Sequence, residues 1–155
     1  IVLGVFAAVY HWFPKFTGHM YYEGLGKLHF ALTFIGCTLN WLPLHWAGLL
    51  GMPRRVASYD PEFAIWNVIA SVGAFLLGVA AIPFILNMVS SWARGPKAPP
   101  NPWGAIGLEW LLPSPPPAEN FEDDVPTVLN NPYGYGLDQP QVADEAFYVR
   151  RAQEA

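Results

Sequence analysis

FAIWNVIASVGAFLLGVAAIPFILNMVSSWA, residues 63–93, runs for thirty-one residues without one charged side chain, bracketed by Glu62 and Arg94. At about 1.5 Å of rise per residue, a helix of that length exceeds the roughly 30 Å hydrocarbon core of a bilayer. The stretch therefore reads as one long transmembrane helix. A second uncharged run precedes it, LHFALTFIGCTLNWLPLHWAGLLGMP at 28–53, between Lys27 and Arg54; its helical part is placed at 28–51. Tyr21, Tyr22, Trp46, Tyr59, Trp66 and Trp92 flank the two runs as interfacial aromatic belts do. Pro43 and Pro83 lie inside the runs, where neighbouring helices or waters satisfy the freed carbonyls.

The N-terminal stretch IVLGVFAAVYHWFP, residues 1–14, is also uncharged but reaches only about 21 Å. With no basic region before it, it does not read as a signal peptide. It reads as the second half of a transmembrane helix, in a chain that is the C-terminal fragment of a larger protein. Composition agrees with a membrane setting. Apolar residues make up 53% of the 155 and charged ones 13%, about half the charged share of a soluble domain. The formal net charge of -4 hides an asymmetry, because residues 1–95 carry five basic and three acidic side chains, and residues 96–155 three and nine. No basic stripe of the kind nucleic acid requires is present.

Orientation follows from basic residues near the spans. Lys15 and Lys27 in a loop at 15–27, with Arg94 and Lys97 on the same side, outnumber Arg54 and Arg55 in the opposite loop at 52–62. The loop 15–27 and the C-terminus are therefore expected in the cytoplasm, or the matrix of an organelle. The tail 94–155 is another material, with eleven of the sixteen prolines after residue 95 and an acidic patch at Glu122, Asp123 and Asp124. It is expected to be irregular, apart from a short helix at 141–153, with NPWGAIGLEW at 101–110 docking on the membrane domain.

Few residues are equipped for chemistry. There is no GxGxxG, P-loop, Ser/His/Asp constellation or carboxylate pair, so no catalytic residue is assigned. The lone Cys37 supports neither a disulfide nor a cysteine metal site. His29 and His45 share one helix but stand sixteen residues apart, about 24 Å along the axis, too far to ligate one metal together. Each reads as a hydrogen-bonded polar residue near an interface, with a proton relay open at His29. Asn40, Asn67 and Asn87, with Ser71, Ser90 and Ser91, read as interhelical hydrogen-bonding groups. Ala70, Ala74 and Gly78, four residues apart, mark a small-residue face for close helix packing.

Arg54 and Arg55 are the exception. They lie on the outer side, against the positive-inside tendency, so a topology signal explains them poorly. Arginine stays charged at any working pH and offers a planar fork that grips carboxylate or phosphate through two bonds. A lipid headgroup and a buried organic anion both satisfy that geometry.

YHWFPKFTG (10–18), GKLHFALTFIG (26–36), PLHWAGLLGMPRRVASYDPEF (43–63), WNVIASVGAFL (66–76) and NPWGAIGLEWLLPSPPPAENF (101–121) occur in order along the chain. Together they closely resemble the C-terminal part of subunit I in the cytochrome c oxidase family, the haem-copper terminal oxidases. The resemblance covers roughly residues 5–121, and its most specific parts are GMPRR and LEW followed by SPPP. It implies an all-α membrane protein, with 1–14, 28–51 and 63–93 as the end of the tenth, the eleventh and the twelfth helices of a twelve-helix bundle. It implies that Arg54 and Arg55 hold propionates of the two haems on the outer side, and it brings His29 and His45 forward as proton-path residues. Leu44 stands where mitochondrial relatives carry a polar residue on that path. The haem and copper ligands would lie upstream of Ile1, leaving no metal ligand in this segment.

The function implied is proton-pumping reduction of oxygen to water with cytochrome c as donor. Quinol is the alternative donor, and a non-catalytic three-span scaffold subunit the alternative role. The implied partners are the rest of subunit I, subunits II and III, the donor and the lipid bilayer. The GPKAPPNPW stretch points to a bacterial plasma membrane.

Overall fold

A computed structural model describes residues 1–105 and 107–121. The expected helix at 141–153 and the acidic patch Glu122–Asp124 lie outside the described residues. Among the described residues the chain forms three helices, α1 (Val2–Thr17), α2 (Glu23–Leu49) and α3 (Ala64–Arg94), with short 3-10 turns at Pro61–Phe63 and Leu108–Leu111. It divides into two compact units, one of Ile1–Tyr21 with the chain from Arg94 onward, the other of Tyr22–Ala93.

The second unit is an antiparallel hairpin of α2 and α3. Along α2 one seam can be traced through His29, Thr33, Gly36, Asn40, Pro43 and Ala47, all buried or half-buried and spaced alternately by four and three residues. Along α3 the matching trace is Ala70, Gly73, Leu77, Ala80, Phe84, Asn87 and Ser91, with the same alternation, and Pro83 is buried beside it. That spacing averages 3.5 residues, the period at which two helices keep one seam in contact along their length. Contacts fix the register: His29 and Phe84 rings lie 5.0 Å apart, and Asn40 Nδ2 donates to the Ala70 carbonyl at 2.9 Å. A Cβ at Gly73 would stand 2.4 Å from the Asn40 nitrogen, and one at Gly36 3.1 Å from the Gly73 carbonyl oxygen. Glycine is required at Gly73 because the backbones themselves meet there.

The seam is closed at one end by Asn87, which is 0% exposed. Its side-chain oxygen accepts from the Tyr22 N–H at 2.9 Å, and its Nδ2 donates to the Tyr22 carbonyl at 3.0 Å. Ser91 Oγ donates to the same Asn87 oxygen at 3.0 Å. The amide thus pairs with the peptide at which α2 begins, as a neighbouring strand would.

Outside the seam the distribution is inverted relative to a soluble hairpin. Phe30, Phe34 and Trp41 on α2, and Val72, Phe75 and Ile85 on α3, are all more than half exposed. Small and polar groups face inward while large apolar ones face out, the arrangement of helices whose surroundings are themselves apolar. Pro61–Arg94 is, among the described residues, the one helix long and apolar enough to cross a membrane. α2 has the length, but His29, Thr33, Thr38, Asn40 and His45 make it more polar.

Three sequence expectations are refined. The helices extend past the expected span edges: α1 continues through Lys15–Thr17 and α2 begins at Glu23, leaving residues 18–22 as the connection. Glu23 and Lys27 pair one turn apart at 2.8 Å on the surface, which favours starting the helix there. The face that α3 turns to α2 includes Ala70 but not Ala74 or Gly78, which are exposed among the described residues; contact with α2 follows the 3–4 alternation. Asn40 and Asn87 bond between helices as expected, but Ser71 and Ser90 donate to carbonyls four residues back in their own helix.

In the first unit the chain after α3 forms a strap along the C-terminal half of α1. α1 stops at Gly18, whose φ of 72° suits glycine and whose N–H closes on the Pro14 carbonyl at 2.9 Å. Beyond it, Met20 N–H donates to Pro96 O at 2.7 Å and Ala98 N–H to Gly18 O at 2.8 Å, around an antiparallel bridge of His19 and Lys97. Trp103 Nε1 donates to the His11 carbonyl at 2.9 Å. Trp110, 2% exposed, meets the His11 ring edge-to-face at 5.0 Å. Of the stretch 101–110, expected to dock on the membrane domain, Trp103 and Trp110 contact α1.

Gly73→Ala is expected to cost about 3 kcal/mol through forced separation of the helices, read as a lower thermal midpoint of the assembled protein. Gly78→Ala, with nothing within 4 Å of its added Cβ among the described residues, is the control, and is expected to hold or raise that midpoint. Asn87→Ala is expected to cost about 1–3 kcal/mol, because it strips partners from the Tyr22 peptide.

Candidate functional site

The arginine loop begins where α2 is stopped. Gly51 has φ 99°, its N–H donates to Gly48 O at 3.1 Å, and the Met52 N–H reaches back to Ala47 O at 3.0 Å. These two bonds are the Schellman stop, and Pro53 follows where the helix cannot resume. GMP is therefore a helix terminator, and it delivers the chain to Arg54 and Arg55. At the far end of the loop, the Phe63 N–H donates to Asp60 O at 3.0 Å and opens the first turn before α3. Asn67 Nδ2 lies 3.5 Å from Met52 Sδ, tying the start of the loop to α3.

Both arginines are exposed. Among the described residues neither is engaged in a hydrogen bond or ion pair, and none of those residues commits their guanidinium donors. Arg55 has φ 62°, the left-handed region that costs a residue with a side chain roughly 1 kcal/mol. An uncommitted, permanently charged pair on a loop anchored at both ends is suited to holding a carboxylate or phosphate.

The two candidate histidines are not brought together. His29 is buried in the α2–α3 seam beside Phe84. His45 is exposed, and its Nδ1 lies 2.7 Å from the Trp41 carbonyl one turn earlier. A carbonyl only accepts, so Nδ1 carries the hydrogen and Nε2 is the acceptor of the neutral ring. Among the described residues no group of three His, Cys, Asp or Glu is placed to hold a metal ion. His19 turns back on its own chain, with Nδ1 3.0 Å from Thr17 O.

Two residues escaped the sequence reading. Thr33 Oγ1, in the seam, is the buried side-chain atom without a hydrogen-bond partner among the described residues. Lys15, read only as a loop charge, is 5% exposed. Its ammonium donates to Leu112 O at 2.8 Å, Pro100 O at 3.0 Å and Pro113 O at 3.4 Å, and lies 5.1 Å from the Trp110 ring centroid. Burial pushes the Lys15 ammonium, beyond the apolar 1–14 stretch, below lysine's ordinary value, and the Glu109 carboxylate opposes that shift. No local motif announces such a site, because its acceptors are backbone atoms nearly a hundred residues away.

A family model described as cytochrome c and quinol oxidase polypeptide I matches residues 1–76. The chain is 51% identical over 140 residues to cytochrome c oxidase subunit 1 of Thermostichus vulcanus, covering 90% of this chain and 25% of that protein. It is 50% identical over 141 residues to cytochrome c oxidase subunit 1 of Synechocystis sp., covering 91% and 25%. It is 44% identical over 129 residues to the haem-copper oxidase subunit I+III of Aeropyrum pernix, covering 83% and 16%. The chain spans about a quarter of the length of the first two relatives.

Arg55→Gly is expected to leave the loop in place and relieve roughly 1 kcal/mol of backbone strain, read as an unchanged or slightly raised thermal midpoint. Any loss of function in that variant then belongs to the missing guanidinium rather than to a displaced loop.

Proposed function

The chain belongs to the cytochrome c and quinol oxidase polypeptide I family, and from that premise we propose that it is the C-terminal part of subunit I of a proton-pumping terminal oxidase. The whole enzyme takes electrons from cytochrome c and reduces oxygen to water. In this reading residues 1–14, 28–51 and 63–93 are the end of the tenth, the eleventh and the twelfth helices of a twelve-helix bundle. Residues 15–27 and the tail 94–155 face the cytoplasm of a bacterial plasma membrane, and 52–62 lies on the outer side. Haem and copper, bound elsewhere in the whole subunit, supply the electron-transfer and oxygen chemistry.

What this chain contributes is charge and packing. Arg54 and Arg55 would hold haem propionates; their positive charge would favour the reduced haem, and the pair would take part in proton loading near the outer face. The observation that carries this role is the uncommitted pair on a loop pinned by the α2 stop. Permanently charged planar donors fit a carboxylate well, so the residues present suit the group. His29, inside the seam, is the proton-path candidate on the inner side, and His45 the one nearer the arginines. The rest of subunit I and subunits II and III complete the assembly, and the Aeropyrum relative joins I and III in one name. Quinol as donor is the second reading; the names of the Thermostichus and Synechocystis relatives favour cytochrome c.

Arg54→Leu and Arg55→Leu, made in the assembled oxidase, are expected to lower a haem midpoint potential. The expected drop is roughly 50–100 mV, the effect of a unit charge about 10 Å away at an effective dielectric of about 20. Redox titration followed optically reads the shift, and proton stoichiometry should fall with it. Wild-type potentials and stoichiometry in both variants would instead assign the pair to lipid phosphate.

A further inference from the structure

The strap over α1 is rich in proline, with eight between residues 96 and 117. Each proline keeps its carbonyl and lacks an N–H, so the strap carries more acceptors than it can pair within itself. Lysine is the complement, with three donors and no acceptor. Lys15 places that group where three strap carbonyls converge, those of Pro100, Leu112 and Pro113, and the Trp110 face covers it. The three acceptors come from both ends of the strap, so a single ammonium gathers its outgoing and returning arms. Gly18 completes the fit, since a Cβ there would stand 2.8 Å from Pro115 Cδ.

We propose that Lys15 is a latch: its ammonium, caged by backbone carbonyls, holds the returning arm of the proline-rich strap, residues 107–115, on α1, and without it that arm opens while 96–103 stays docked. Among the described residues, further docking bonds at Gly18, Met20 and His11 tie residues 96–103. The returning arm at 110–113 is held through Lys15 and the packing of Trp110. The inference is independent of haem binding.

The test uses the purified oxidase complex containing the full chain, in wild-type form and as Lys15→Ala and Lys15→Met. A glutamate-specific protease is applied under native conditions, and cleavage after Glu109 is followed by mass. Cleavage of a docked segment tracks the population of its open form, so both variants should be cut on the order of tenfold faster at that site. Propylammonium replaces the atoms missing in Lys15→Ala and should restore protection, whereas propanol, of similar length and uncharged, should not. Wild-type protection in both variants, or equal rescue by propanol, would overturn the latch. Should Lys15→Ala fail to assemble, Lys15→Met, which keeps the apolar stem, decides the question from its cleavage rate alone.

Discussion

Contact of bare backbones at Gly36 and Gly73 sets the geometry of the hairpin. Helices in an apolar medium gain little by hiding oily side chains from each other, so they associate through close packing and hydrogen bonds. Close packing requires that no Cβ intervene, and Gly73 meets the Asn40 backbone where a methyl group would overlap it. Once the axes are this close, the Asn40 amide can reach the Ala70 carbonyl, and Asn87 can pair with the Tyr22 peptide. The polar seam is a consequence of the glycine contact. The outward Phe, Trp, Ile and Val residues follow in turn, because the inner face has no room for them.

How much of this was legible depends on the range of the interaction. The long helix at 63–93 was plain from its uncharged length, and α3 occupies Ala64–Arg94. The arginine loop was legible too, since the uncharged run at 28–53 ends at Arg54 and α2 stops at Leu49; that GMP is what stops the helix came only with the structure. The packing face was only half legible: small residues were identified as the currency of contact, but a four-residue step was chosen over the 3–4 alternation. That alternation appears only when the partner helix is present, because it is the partner that keeps one seam in register. Glu23 at the first turn was a helix-start signal that the uncharged-run criterion passed over.

Lys15 shows the opposite limit. Its type and position suggested a solvated charge at a membrane edge, and nothing within several residues argues otherwise. Its partners are carbonyl groups, which every residue has and which no sequence pattern singles out. The clue lay in composition: a proline-rich segment has surplus acceptors that some donor must meet. Read that way, the strap's chemistry asks for a lysine or arginine elsewhere in the chain, though not for Lys15 in particular. Arg54 and Arg55 are the reverse case, a pair whose residue type carried the argument and whose surroundings in the hairpin add only a firm base.

That base has an electrostatic side. α2 is twenty-seven residues long, and a helix presents the equivalent of roughly half a negative charge at its C-terminus. The last carbonyls are not left bare, since Trp46 O, Ala47 O and Gly48 O accept from the N–H groups of Leu50, Met52 and Gly51. The turn that stops the helix therefore also blunts the negative end that an anion approaching Arg54 and Arg55 would otherwise meet.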